Sequence, residues 1–273
     1  MKVFVNSIPK SGTNLLEKFV RLLGFSKSGK SVALSNILGR YHLIKSILHQ
    51  AHLSGLSVPI GLEFPVSVSV NWLNKTLAIP ENQYLSGHAA YSEQLDFMVK
   101  SNGLKAMQIY RDPRAVLVSW AKYVAEDINR WYPFHSFFKR MSLKERIRFL
   151  LHGGEINGLY YSSFREVLGR AGGWIESGNT FVVRFEDLVG SRGDGSDGRQ
   201  RETMIGILEH IGHDYSEADL DQYQQELYGG THTFRSGRID SWKDVIDDGL
   251  HDEIITTLQR CEALTKLGYD GFQ

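Results

Sequence analysis

The 273-residue chain contains one cysteine, Cys261. A single thiol excludes an internal disulfide and any Cys-x-x-Cys metal or redox pair. It suits a reducing compartment, so a cytoplasmic location is expected. An excess of either charge is also missing, because 31 Lys+Arg balance 31 Asp+Glu. A chain without a broad basic field is not expected to hold a nucleic acid, and any anion site has to be local. No apolar run is long enough to span a bilayer, and the start, MKVFVN, reads as a strand rather than a basic-then-apolar signal segment, so no membrane partner is expected. No carboxylate cluster stands at metal-ligand spacing, and no segment repeats.

What is present is an ordinary globular composition, 42% hydrophobic and 23% charged, of a length that suits one large domain or two small ones. We read residues 1–273 as one domain. Val3 to Ser7 is a strand. Leu15, Leu16, Phe19, Val20, Leu22 and Leu23 then recur at helical spacing, with Asn14 and Glu17 at capping-box separation. Tyr84-Leu85 precedes a small turn, SGHAA. Leu104 to Tyr110 (LKAMQIY) reads as a strand, after which Asp112-Pro113 opens a helix as N-cap and first residue. Residues 120–170 read as helical and carry the aromatics Trp120, Tyr123, Trp131, Tyr132, Phe134, Phe137 and Phe138, which could be core or line an acceptor site. Thr180 to Phe185 is another strand. Residues 190–201 (GSRGDGSDGRQR) read as a mobile loop, and 204–211 and roughly 250–267 as helices. Short strands alternating with helices predict an α/β fold with a central parallel sheet flanked by helices on both faces.

Two glycine-lysine-serine stretches lie close together near the start. GFSKSGKS, residues 24–31, fits the nucleotide P-loop pattern, which keeps open a kinase or nucleoside triphosphatase. PKSGTN, residues 9–14, does not fit it. Context favours PKSGTN as the anion site. A strand delivers the chain to this turn and a helix leaves it, so backbone N–H groups and the helix dipole converge on one spot. GFSKSGKS follows a helix end, where carbonyls repel an anion; Gly24 reads as the helix C-cap and Gly29-Lys30 as part of a solvated connector. No apolar run ending in a magnesium-binding aspartate completes a nucleoside-triphosphatase site.

The strand–PKSGT–helix unit resembles the 5′-phosphosulfate loop of sulfotransferases that use 3′-phosphoadenosine 5′-phosphosulfate (PAPS). YRDPRAVLVSW (110–120) resembles the 3′-phosphate segment of that family, in which an arginine ends a strand and a serine follows eight residues later. FRSGRIDSWKD (234–244) resembles its C-terminal R-K-G-x-x-G-D-W-K segment. The order of the three segments matches along nearly the whole chain. The resemblance implies a P-loop-kinase-like α/β domain with PAPS as donor, 3′,5′-adenosine bisphosphate (PAP) as product and no metal. The acceptor would be a small molecule or glycan bearing a hydroxyl or an amine, and a weak homodimer near the C-terminus is also implied. A relative that binds the nucleotide without catalysis is the remaining alternative.

Carried over residue by residue, the resemblance implies that Lys10 stabilises the leaving group, with Ser11, Gly12, Thr13 and Asn14 holding the phosphate and sulfate oxygens. Arg111 and Ser119 bind the 3′-phosphate, and Arg235 and Gly237 close over it. Ser236 stands where the family usually has lysine, and Arg238 is the cation that could compensate. Arg114 reads as a solvated charge. Phe185, in "FED", takes the place of an aromatic that stacks on adenine, with core packing as its other reading, and Trp72 is a candidate for the opposite face of the ring. His88, in YLSGHAAYSEQL, resembles the histidine that deprotonates the acceptor; Ser86 replaces the lysine that usually precedes it by two. Glu63, in GLEFP, is the reserve base. Asp194, Asp197, Glu126 and Asp127 are acidic residues near the expected acceptor side.

Overall fold

The structure is a computed structural model and describes residues 1–33, 56–129, 132, 134–229 and 238–272. Strand β1 (Lys2–Ser7) is buried from Val3 to Ser7. Such burial is the mark of a strand covered on both faces. Helix α1 (Thr13–Leu22) seats Leu15, Leu16, Phe19 and Val20 on the sheet. It ends where Gly24 turns to φ 88°. The Gly24 N–H donates to Arg21 O at 3.0 Å and the Phe25 N–H to Val20 O at 3.3 Å, closing a Schellman-type cap that needs a positive φ. The chain returns as β2 (Ser26–Val32).

The remaining elements follow in order: β3 (Ser57–Pro59), β4 (Ser67–Ser69), α2 (Val70–Leu77), β5 (Gln83–Gly87), α3 (Glu93–Ser101), β6 (Leu104–Tyr110) and α4 (Pro113–Tyr123). After them come α5 (His135–Lys139), α6 (Leu143–His152), β7 (Gly154–Ile156), β8 (Leu159–Tyr161), α7 (Phe164–Gly172), β9 (Thr180–Arg184) and α8 (Phe185–Leu188). The chain closes with α9 (Asp197–Ile211), α10 (Glu217–Leu227), α11 (Asp248–Leu258) and α12 (Glu262–Lys266). Among the described residues no helix is long and apolar enough to cross a membrane.

The main sheet has the order β2-β5-β1-β6-β9, and its pairings are all parallel. The α/β fold with a central parallel sheet is therefore as expected. One face of β1, Val3 and Val5, packs with α1, α9 and α10. The other, Phe4, packs with Leu85, α2, α3 and Trp174. A third apolar cluster joins Ile8 and Tyr110, at the strand ends, to α4, α6, α7 and α11. From β1 the chain crosses toward β2, and from β6 toward β9. The winding reverses between β1 and β6, and ligand crevices form outside the carboxyl ends at such a point.

Several local expectations are corrected. GFSKSGKS is neither a P-loop nor a connector: residues 26–32 form an edge strand on β5. The Lys30 amine donates to the carbonyls of Lys75 and Ala78, each at 2.6 Å, at the C-terminal end of α2. A lysine there satisfies orphan carbonyls and the negative end of a helix dipole, and so points away from any phosphate role. The Asn14/Glu17 capping box does not form, because α1 has no side-chain cap. Glu17 instead pairs with Lys27 at 2.9 Å. Ser86 and Gly87 continue β5 rather than starting a turn. Residues 190–201 hold a short 3-10 turn and the first turn of α9, where Asp197 accepts the Ser191 N–H at 2.8 Å. The stretch 120–170 is interrupted by the β7–β8 hairpin. The C-terminal helical stretch breaks at Arg260, φ 58°, between α11 and α12.

A buried polar clasp ties β1 to the chain beyond β5. The Asn6 amide donates to Ala89 O at 2.9 Å and to Gln108 Oε1 at 2.7 Å, while its Oδ1 accepts the Ala89 N–H at 2.9 Å. Unpaired, these buried groups cost the desolvation penalty of each. Asn6→Val is expected to lower the unfolding free energy by about 3 kcal/mol in urea denaturation, since it strands the Ala89 N–H and Gln108 Oε1, while Ala89 O keeps the Trp174 indole N–H at 3.0 Å.

Candidate active site

Four segments leave the carboxyl edge of the sheet at one level because the strands are parallel and in register. Asn6 pairs with Gly87, Ser7 with Ile109, and Tyr110 with Arg184. The PKSGTN turn, His88, Arg111 and Phe185 are the residues that follow.

The turn is wound tightly. Lys10 sits at φ 69° and Gly12 at φ 112°, both in the left-handed region. That conformation is costly for lysine and is typical of functional loops held by their surroundings. Ser11 supplies part of the hold: its N–H donates to Ile8 O at 3.1 Å. Its hydroxyl lies 2.7 Å from Ile8 O and 2.9 Å from Ile109 O. The Ser11 side chain therefore anchors the turn to β6. Gly12 is the N-cap of α1 and has no side chain to close it. A Cβ there would stand 2.7 Å from Phe185 Cδ2 and 3.0 Å from Ile109 Cδ1, so only glycine fits the close approach. The Lys10 Nζ lies 4.2 Å from the centre of the Tyr123 ring.

Arg111 also meets Phe185. Its guanidinium carbon is 4.1 Å from the centre of that ring. Its Nη2 donates to Arg238 O at 3.0 Å, and its Nε is buried without a hydrogen-bond partner among the described residues. Among the described residues it makes no ion pair, and burial lowers its pKa while Glu186 and Asp112 oppose that shift. A desolvated guanidinium facing aromatic surface and a carbonyl is suited to an anion. Glu186 braces the segment, accepting the Asp112 N–H at 2.8 Å and the Tyr269 hydroxyl at 2.8 Å. Burial raises the pKa of Glu186.

His88 is half-buried, with Nδ1 2.9 Å from Ser7 Oγ and 3.1 Å from Ser7 O. Burial pushes its pKa down to about 4, the Ser7 carbonyl opposing and Lys10 adding to the effect, so the imidazole is neutral near pH 7. Glu63 lies in a segment held beside the His88 loop by a Gly61–Ala89 bridge. It is buried, and desolvation raises its pKa to about 7. Its charge is felt by Tyr123, Tyr132 and Tyr161.

Other expected residues fall differently. Ser119 is two turns into α4 and half-buried. Arg235, Ser236 and Gly237 lie outside the described residues. Arg238 is described, but its guanidinium pairs with Asp194 at 2.7 Å and only its carbonyl meets Arg111. Arg238, the expected compensating cation, thus shares its charge with Asp194. Trp72 packs with the Phe4 cluster and Phe185 with the Val3–Val5 cluster, so the structure does not bring the two aromatics together. Arg114 is not a solvated charge: it binds Asp112 at 2.5 Å and lies 4.1 Å over Trp242. Phe185 and Trp120, Tyr132, Phe134 and Phe138 are core members. Ser7, Asn6 and Glu186 were missed. Polar residues at the end of an otherwise apolar, fully buried strand are the signal that marks Asn6 and Ser7, because buried polar groups need partners.

A family model described as the sulfotransferase domain matches residues 1–266. The chain belongs to that family and is a sulfotransferase. Mouse sulfotransferase SULT7A1 complexed with PAP superposes with a TM-score of 0.59 at 14% identity, over 97% of this chain and 84% of the other. Retinol dehydratase in complex with androsterone and inactive cofactor PAP gives a TM-score of 0.59 at 16% identity, over 96% and 80%. The same enzyme in complex with retinol and PAP gives 0.57 at 16% identity, over 96% and 81%. At these identities the likeness is one of fold. A search of curated protein sequences finds no match.

The raised Glu63 pKa fixes a sign. The folded carboxyl titrates at about 7 against an ordinary 4.5, so between those values the folded state holds the extra proton and stability falls as pH rises. Glu63→Gln is expected to be more stable than wild type by about 3 kcal/mol at pH 8, the difference vanishing near pH 4, in paired chemical denaturations.

Proposed function

We propose that this sulfotransferase takes its sulfuryl group from PAPS and moves it to a hydroxyl or amine of a small-molecule or glycan acceptor. The observation that carries the reading is that the Gly12 turn and Arg111 both meet the Phe185 ring. Two anion-seeking groups gathered at one aromatic ring match a nucleotide with phosphates at both ends of its sugar. The residues present fit such a group. The Arg111 Nε is buried without a hydrogen-bond partner among the described residues, and the Gly12 turn leaves no room for a Cβ beside Phe185.

When bound, the nucleotide supplies the sulfuryl group, whose bond to the 5′-phosphate oxygen breaks as a bond to the acceptor oxygen or nitrogen forms. The chain's own contribution is positional and electrostatic. Lys10 carries positive charge at the turn tip, where it neutralises the departing phosphate. The N-terminal amides of α1, with Thr13 and Asn14, hold the oxygens of that phosphate; lysine and helix terminus together supply the positive field. Arg111, with Ser119 and the Arg235–Gly237 segment, grips the 3′-phosphate, and Phe185 supports the nucleotide between the two sites. His88 takes the acceptor proton on Nε2, a task for which a neutral imidazole is suited.

Glu63 is the second candidate for proton acceptor, favoured by its buried carboxyl and near-neutral titration. The small-molecule half of the acceptor class is supported by the androsterone and retinol in the retinol dehydratase structures. A lone, buried Cys261 supports a reducing, cytoplasmic setting.

Two experiments test the reading. Arg111→Ala is expected to weaken PAP binding about tenfold to a hundredfold in calorimetric titration; unchanged affinity removes Arg111 from the nucleotide site. Lys10→Ala and His88→Ala are expected to lower turnover with labelled donor about a hundredfold or more, with PAP still bound. Near-full turnover of His88→Ala transfers the base role to Glu63, and absence of turnover in wild type across hydroxyl and amine acceptors favours a nucleotide-binding relative without catalysis.

A further inference from the structure

Ser7 ends β1 with a fully buried side chain. Its Oγ lies 2.6 Å from Thr13 Oγ1 and 2.9 Å from His88 Nδ1, with Gly87 O more distant at 3.5 Å. Its carbonyl oxygen is 3.1 Å from the same Nδ1. A carbonyl only accepts, so Nδ1 carries the proton and shares it between the carbonyl and hydroxyl oxygens of Ser7. Nε2 is then bare. Ser7 Oγ, already accepting, turns its single proton to Thr13 Oγ1, the shorter of its two remaining contacts. Thr13, accepting in turn, has its own proton to give outward, at the first residue of α1. One acceptor-only atom thus gives the whole chain a direction.

We propose that Ser7 is a positioning residue that couples the anion site to the base, through the one-way chain His88 Nδ1–H to Ser7 Oγ–H to Thr13 Oγ1–H to the bound anion. The inference rests on the reading that the PKSGTN turn takes the 5′-phosphate of the donor. An anion that accepts from Thr13 polarises both hydroxyls toward itself and strengthens the bond that Ser7 accepts from the imidazole. When Nε2 takes the acceptor proton, part of the new positive charge is stabilised along the same chain. Anion binding and protonation of His88 then favour each other, and the coupling is reciprocal. The base is strengthened when donor is present and is weak in the empty enzyme, where burial and the Lys10 charge oppose protonation. The charged groups that act on His88 are Lys10 from the turn and Lys27 from β2, both opposing protonation, and Glu17 from α1, favouring it. These act through space with or without the Ser7 hydroxyl.

The test is a pH titration of the His88 ring nitrogens by NMR in the full chain, with and without PAP. The His88 signal is assigned as the one missing from His88→Gln. PAP is expected to raise the His88 midpoint in wild type. In Ser7→Ala the rise is expected to fall to roughly half or less, with kcat down about tenfold or more and PAP affinity within about threefold. A rise of wild-type size in Ser7→Ala, or a kcat within about threefold of wild type, overturns the proposal. Should Ser7→Ala not fold, Thr13→Val is expected to lose the rise and Thr13→Ser to retain it, and equal behaviour of the two overturns it. Failure of PAP to bind wild type removes the donor reading and the coupling with it. Binding without a Ser7-dependent rise removes the coupling alone.

Discussion

The register of β1 against β5 and β6 is the constraint on which the site depends. Parallel pairing puts Gly87 level with Asn6, and Ile109 level with Ser7. The chain therefore leaves three neighbouring strands at the same height. A slip of one residue would turn each strand's side chains to the opposite face. It would bury Phe4 where Val3 and Val5 pack and break the Asn6 clasp on Ala89 at the same time. Apolar packing on both faces and the polar clasp at the edge specify the same register, and agreement between levels of this kind selects one structure.

Arg111 differs from its neighbouring cations in how its charge is met. Lys27 pairs with Glu17, Arg114 with Asp112, and Arg238 with Asp194, whereas Arg111 faces a ring and a carbonyl. Keeping a guanidinium half-desolvated without an ion pair costs stability. The surrounding fold offsets the cost: Glu186, braced by Tyr269, adds negative charge nearby and holds the Asp112 backbone. The same trade appears at Lys10, whose left-handed backbone is kept by the Ser11 anchor and by the Gly12–Phe185 contact. The strain is local, and the hold comes from β6 and β9.

The fold class and the strand–turn–helix unit at PKSGTN were legible because each rests on local order along the chain. Strand, turn and helix occur within residues 2–22, and a helix ending in glycine precedes GFSKSGKS, so the dipole argument needed no tertiary information. The aromatic stretch and residues 190–201 were read less well. Glycine and charge in that loop suggested freedom, but Asp197 and Gln200 find partners in Ser191 and Leu188. These bonds close within about a dozen residues, but composition alone does not show the pairing. The Ser11 anchor was not legible because its two carbonyl partners include Ile109, 98 residues away in sequence.

The sequence by itself determined the alternation of strands and helices, the turn that presents amides and Lys10, and the family resemblance carried by three ordered segments. Periodicity, capping and turn chemistry act over a few residues and are written in them. Tertiary structure alone decided that Lys30 caps α2, that Trp72 and Phe185 lie on opposite sides of the sheet, and that Ser7 stands between Thr13 and His88. These outcomes follow from strand order and register, in which residues far apart along the chain are brought within hydrogen-bond reach only after the sheet has closed.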